Sequence, residues 1–95
     1  MAKGYIIAST TVTDPVAYAV YIKAATLAIQ KFGGQPLVRG GKAVTLEGEG
    51  RVRNVVIEFA SFDIAQAYYH SPEYQAAVKL REHAGIANLV VVEGT

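Results

Sequence analysis

One carboxylate and one guanidinium stand out by their surroundings. Glu58 lies within Arg53-Asn54-Val55-Val56-Ile57-Glu58-Phe59-Ala60, a run that suits a buried strand, where an ionised group must find water, a cation or a proton. Arg39 ends another apolar run, Leu37-Val38-Arg39, just before Gly40-Gly41. If the two runs are neighbouring strands, the guanidinium and the carboxylate can meet across them. Two readings of such a pair stand open. One is a partly buried ion pair that neutralises two costly groups and sets the register of an assembly. The other makes Glu58 and Arg39 the candidate catalytic residues, with Arg39 clamping an anionic ligand and Glu58 acting as base or orienting acceptor. Strand register decides between them.

Tyrosine is the dominant aromatic, at Tyr5, Tyr18, Tyr21, Tyr68, Tyr69 and Tyr74, and tryptophan is absent. Most such rings belong to a core with the hydroxyl reaching an edge. Tyr68 and Tyr69 are adjacent on one helix and cannot face the same way, so Tyr69, beside Ser71-Pro72, is expected at a pocket. With Tyr5 and Asn54 on the strands and His83 near a helix C-terminus, it completes the candidate ligand-binding set. The plainer role for His83 is a surface residue favoured there by the helix dipole.

Other chemistries find no support. His70 and His83 do not form an HxH, HExxH or facial-triad pattern, so no metal is expected, and no cofactor is called for. Ser9, Ser61 and Ser71 lack a GxSxG elbow. Arg39-Gly40-Gly41-Lys42 lacks the spacing of a phosphate-binding loop. With no cysteine, disulfides and thiolate catalysis are excluded. Lys and Arg number 9 against 8 Asp and Glu, a net charge of +1 that gives no electrostatic case for nucleic acid or an anionic membrane. No apolar run approaches membrane-spanning length, and Met1-Ala2-Lys3-Gly4-Tyr5 does not read as a signal peptide, so a cytoplasmic location is expected.

These residues must be positioned by a single domain, since 95 residues at 52% hydrophobic suffice for one core. Gly4 to Val12 reads as a strand with Tyr5, Ile7 and Ser9 on one face and Ile6, Ala8 and Thr10 on the other. Thr13-Asp14-Pro15 is a helix start, and a helix to about Phe32 places Tyr18, Tyr21, Ile22, Ala25, Ala28, Ile29 and Phe32 on one arc. Val16, Val20 and Leu27 lie on the far side, either as scattered surface residues or as a contact for a higher oligomer.

Gln35 to Leu46 reads as a strand interrupted at Gly40-Gly41, by a bulge or by a turn between two short pieces. The turn Glu47-Gly48-Glu49-Gly50 leads into the central strand. Ser61 caps a helix whose inward residues are expected to be Ile64, Ala67 and Tyr68. Ser71-Pro72 breaks it, and a second segment runs from Pro72 to His83. Ile86 to Glu93 is the last strand. The order β, α, β, β, α, β is the ferredoxin-like α+β plan, with sheet order 4-1-3-2 and both helices on one face. On the third strand Val55, Ile57 and Phe59 then lie beneath the helices, while Asn54, Val56 and Glu58 face away. That mixed face suits a cavity closed by a second copy.

The runs Tyr5-Ile6-Ile7-Ala8, Thr13-Asp14-Pro15, Gly33-Gly34, Leu37-Val38-Arg39-Gly40-Gly41, Val56-Ile57-Glu58-Phe59, Ser71-Pro72-Glu73-Tyr74 and Val90-Val91-Val92-Glu93-Gly94 resemble the bacterial family known as domain of unknown function 1330. The resemblance spans nearly the whole chain. It departs at Glu47-Gly48-Glu49-Gly50-Arg51, which lacks the tryptophan and proline expected there. The resemblance implies a dimeric α/β barrel in which two ferredoxin-like subunits press their sheets together, with a small-molecule cavity in each. It implies no reaction.

Two functions follow as expectations. The first is cofactor-independent proton transfer or oxygenation on a small carbonyl or carboxylate compound, by Glu58, Arg39 and a tyrosine. The alternative is a non-catalytic small-molecule binding or dimerisation module. The RNA-recognition module shares the element order, but Arg53-Asn54-Val55-Val56-Ile57-Glu58-Phe59 has no aromatic ladder on its open face.

Overall fold

Side-chain caps set where the helices begin. In the computed structural model, which describes residues 2–95, strand β1 (Gly4–Val12) ends ahead of Asp14, whose Oδ1 accepts from the Ala17 N–H at 3.2 Å. Pro15 then opens helix α1 (Pro15–Lys31). Strands β2 (Gln35–Arg39) and β3 (Arg53–Phe59) follow. Ser61 caps helix α2 (Phe62–His70) by accepting from the Ile64 N–H at 3.1 Å. The buried Ser71 hydroxyl donates to the Tyr68 carbonyl at 2.7 Å and accepts from the Tyr74 N–H at 3.1 Å. One side chain thereby closes α2 and opens helix α3 (Pro72–Leu80). Strand β4 (Gly85–Glu93) completes the chain.

The four strands form one antiparallel sheet in the order β2-β3-β1-β4, the ferredoxin-like arrangement. All three helices pack on one face. Ile6, Ile57 and Phe59 meet Ala25 and Ala28 of α1 and Ala65, Tyr68, Tyr74 and Ala77 of α2 and α3. The small helix residues allow close approach, and the large rings fill the space between. Phe59 and Tyr68 lie 5.0 Å apart by ring centres, and Tyr68 and Tyr74 4.7 Å. Burying a side chain such as Phe59 stabilises the fold by about 1.5–3 kcal/mol.

The other sheet face has no helix over it. It presents Tyr5, Ile7 and Ser9 of β1, Asn54, Val56 and Glu58 of β3, and Val90 and Val92 of β4. Ile7, on the internal strand β1, is 40% exposed, and its neighbour Val90 on the edge strand β4 is 54% exposed, which for aliphatic residues marks an uncovered surface. Among the described residues no helix is long and apolar enough to cross a membrane.

Strand β2 is shorter than the sequence suggests, and its bulge lies elsewhere. The register slips between Pro36 and Val38, next to a proline that has no N–H for the ladder. The strand stops at Arg39, where Gly40 takes a left-handed φ of +67° and gives its N–H to the Asn54 carbonyl at 2.8 Å. Residues 41–52 form a loop, exposed except at the half-buried Arg51, rather than a strand continuation and short turn. In α2 the inward residues are Ala65 and Tyr68, whereas Ile64 and Ala67 are exposed. Ser61 abuts Gly4 so closely that any Cβ there would overlap its carbonyl, and at that approach only glycine fits beneath the helix. Helix α3 ends at Leu80, so His83 lies in the turn that follows.

Candidate functional site

A cavity of about 60 Å³ lies between α1 and the helix-covered face of the sheet. Its floor is apolar, formed by Ile6, Ile57 and Leu89 with Ala25 above. Around this floor stand three arginines. Arg53 begins β3 on the same face as Val55 and Ile57, directly across from the buried Thr10 of β1. Its guanidinium carbon is 5.7 Å from the centre of the Tyr18 ring. A Cβ on Gly40 would overlap Arg53 Nη1, so the glycine makes room for the guanidinium. Arg81, the residue that terminates α3, lies 5.2 Å from the centre of the Tyr21 ring. Arg39 ends β2 opposite Val55 and reaches the cavity from its exposed side.

Tyrosines link the cations. The Tyr18 and Tyr21 rings on α1 are 5.1 Å apart, and the hydroxyls of Tyr21 and Tyr74 share a hydrogen bond of 2.8 Å. Burial first, then the nearby Tyr74, pushes the Tyr21 phenol well above its ordinary pKa, while the charge of Arg81 pulls it down by less. Tyr21 is therefore a neutral phenol, fit to hydrogen-bond and unfit to act as a base. Burial opposes the charge of Arg81, the neighbouring Tyr74 and Tyr21 favour it, and its pKa is raised.

The charge balance of this site is unequal. The cavity lining contains Arg39, Arg53 and Arg81 and no aspartate, glutamate or histidine. The ion pair found among the described residues, Lys31 with Glu73, joins α1 to α3 on the exterior. The Nε atoms of Arg53 and Arg81 are buried without a hydrogen-bond partner. Stacking on tyrosine compensates part of the cost of such cations. A ligand with acceptor oxygens would satisfy the remainder.

The residues singled out from the sequence do not gather at one place. Arg39 and Glu58 are on adjacent strands but opposite faces, so the expected pair does not form. The bulge is the reason: Arg39 is paired with Val55, on the helix face, whereas Glu58 is paired with Tyr5 and Gln35 on the uncovered face. Glu58 accepts a hydrogen bond from the Tyr5 hydroxyl at 3.0 Å, which, with slight burial and the carboxylate charge, raises the Tyr5 pKa. Asn54 shares that face, accepting from Ser9 at 3.1 Å. Beside it Arg51 donates to Asn88 at 2.7 Å and to Thr11 at 3.0 Å. Tyr69 is half-buried, its ring 5.5 Å from that of Tyr74, and borders a separate groove with Gln66, His70 and Val90. His83 is exposed and lines neither cavity nor groove.

Sequence reasoning passed over Arg53, Arg81, Thr10, Tyr18, Tyr21 and Tyr74 as site residues. Two of them carried a usable signal. Arg53 has the same parity as Val55, Ile57 and Phe59, which places a guanidinium beneath the helices. Arg81 continues the inward row of α3, the buried Tyr74 and Ala77 with the partly buried Val78, at helical spacing.

Among the described residues no three of His, Cys, Asp and Glu converge in a way that could hold a metal ion. The family model described as "Domain of unknown function (DUF1330)" matches residues 3–95. No curated protein matches the chain in sequence. A protein of unknown function from Rhodopseudomonas palustris is similar in structure at a TM-score of 0.80 and 18% identity, over 99% of this chain and 83% of that one. A dimeric protein of unknown function and ferredoxin-like fold from Bacteroides fragilis is similar at 0.65 and 18%, over 96% of this chain and 95% of that one. SnoaB, a cofactor-independent oxygenase from Streptomyces nogalater, is similar at 0.62 and 8%, over 97% of this chain and 92% of that one. At these identities the likeness is one of fold.

Proposed function

This chain belongs to the DUF1330 family, and we propose that it binds a small organic anion with an apolar body in the cavity between α1 and the sheet. The observation that carries this reading is the gathering of Arg39, Arg53 and Arg81 around an apolar floor with no carboxylate in the lining. Uncompensated cations in a partly buried site are costly, and nothing in the packing of an ordinary core requires three of them. A bound carboxylate would accept from the guanidinium of Arg81 and from whichever of the Tyr21 and Tyr74 phenols does not donate to the other, while its hydrocarbon part would rest on Ile6, Ile57 and Leu89.

We assign the uncovered sheet face to a second copy of the chain. Its apolar centre, Ile7, Val56 and Val90, is flanked by Tyr5 with Glu58 at one end and Ser9 with Asn54 at the other. Tyr5, Asn54 and Glu58 thus serve the contact between copies in this reading, and Arg39 serves the cavity mouth. Val16, Val20 and Leu27, 80%, 53% and 67% exposed on the outer side of α1, offer a further surface for association.

A second reading has the bound anion turned over with dioxygen and no cofactor, the activity named for the Streptomyces nogalater protein. The cluster of guanidiniums and neutral phenols favours it, because such groups stabilise an enolate or phenolate. That anion would pass electrons directly to dioxygen, an activated CH2 group and O2 becoming a carbonyl and water. With no carboxylate or imidazole in the lining, only substrates that ionise readily themselves qualify.

The test of the anion reading is thermal unfolding with benzoate and hexanoate against their amides. A ligand at a hundred times its Kd adds about 2.7 kcal/mol of stability. The carboxylates are expected to raise Tm, and Arg81→Gln to remove the rise. Equal shifts with the amides, or none with any carboxylate, reject the reading.

A further inference from the structure

We infer that the ligand carries two acidic groups, one for Arg53 and one for Arg81, which makes a short dicarboxylate with a hydrocarbon spacer the class of molecule this cavity takes. The inference rests on the reading of the cavity as an anion site and narrows it. Among the described residues, the buried side-chain donors without a partner are Arg53 Nε and Arg81 Nε, and both belong to this one cavity. A single orphaned donor would ask for one acceptor. Two guanidiniums on different residues of one lining offer two places for an acidic group.

Their placement keeps them apart. Arg53 enters from β3 and lies over Tyr18, whereas Arg81 enters from the end of α3, which leads into β4 on the other side of β1. The Tyr18 and Tyr21 rings, one near each guanidinium, are 5.1 Å apart. Each guanidinium lies against its own ring, and that contact favours keeping it there. The order Arg53, Tyr18, Tyr21, Arg81 is a bracket with a cation at each end.

Charge and chemistry of the lining agree with this. A dianion leaves the three arginines close to neutral, while a monoanion leaves two charges uncompensated. Between the cations the floor of Ile6, Ile57 and Leu89 is apolar and suits a hydrocarbon spacer. Gly40 acts as a positioning residue. Its left-handed φ of +67° and missing side chain let the Arg53 guanidinium lie against it.

The experiment is titration calorimetry of the full chain with the linear dicarboxylates from malonate to suberate, each beside its monomethyl ester. One length is expected to bind roughly tenfold more tightly than its half ester, as for a charge-assisted bond gained. Arg53→Gln and Arg81→Gln should each bring the diacid to the affinity of the half ester, and Gly40→Ala should weaken the diacid alone. If Arg53→Gln does not fold, Arg53→Met keeps the hydrocarbon stem and loses the charge, with the same expected loss of preference. Half esters binding as tightly as diacids at every length overturn the dianion inference and leave the anion reading intact. No binding by diacids, half esters, benzoate or hexanoate overturns both.

Discussion

The hydroxyls of Tyr21 and Tyr74 lie 2.8 Å apart, one on α1 and one on α3, with the Arg81 guanidinium 5.2 Å from the Tyr21 ring centre. The contact joins two helices by a polar bond inside an otherwise apolar seam and forms one wall of the cavity. Removing one hydroxyl leaves the other without its partner. Tyr21→Phe and Tyr74→Phe are each expected to cost about 1–3 kcal/mol in urea unfolding. The double variant should cost less than the two together, and simple additivity would show that the bond contributes nothing.

Alkaline pH should destabilise the protein through the same region. Tyr21 and Tyr68 are both held protonated, chiefly by burial and then by neighbouring phenols, so their folded pKa values exceed the ordinary 10.0. Below that value both states keep the protons and stability is unaffected. As pH rises beyond it the unfolded chain releases protons that the folded chain retains, and stability falls. Tm is expected to hold to about pH 9 and to drop by about pH 11, with Tyr21 and Tyr68 silent in the tyrosinate absorbance until unfolding. Six tyrosines titrating together in the folded protein would contradict this.

Glu58→Gln should leave anion affinity unchanged to within about twofold, since the carboxylate is on the sheet face away from the cavity. Glutamine can still accept from Tyr5. Calorimetry with benzoate reads this directly. A large loss of affinity would return Glu58 to the binding site.

Val90→Lys places a charge on the uncovered face, on the edge strand β4 beside Ile7, at a residue 54% exposed in the single chain. Sedimentation is expected to show the mass of two copies for the parent protein and of one for the variant, with circular dichroism unchanged. An unchanged assembly would move the contact elsewhere.

Gly4→Ala tests the seam between β1 and α2. The added methyl would overlap the Ser61 backbone carbonyl, which belongs to a capped helix start and cannot swing aside. A loss of about 1–3 kcal/mol is expected. No loss would mean that α2 can slide on the sheet.

Much of the architecture is decided by local chemistry, and local chemistry is legible in a sequence. Asp14, Ser61 and Ser71 each cap a helix by bonding a backbone N–H three residues on, so the element order follows from the chain alone. The alternation of Asn54, Val56 and Glu58 with Val55, Ile57 and Phe59 also assigns each face of β3 without a structure. The candidate site was another matter. Alternation has a period of two, so the extra residue between Pro36 and Val38 carries Arg39 from the Glu58 face to the cavity face, and no composition or spacing reveals such a slip. The meeting of Arg53, Tyr18, Tyr21, Tyr74 and Arg81 depends likewise on how α1 and α3 rest on the sheet. Residues far apart in the chain become neighbours there through packing, which only the tertiary structure decides.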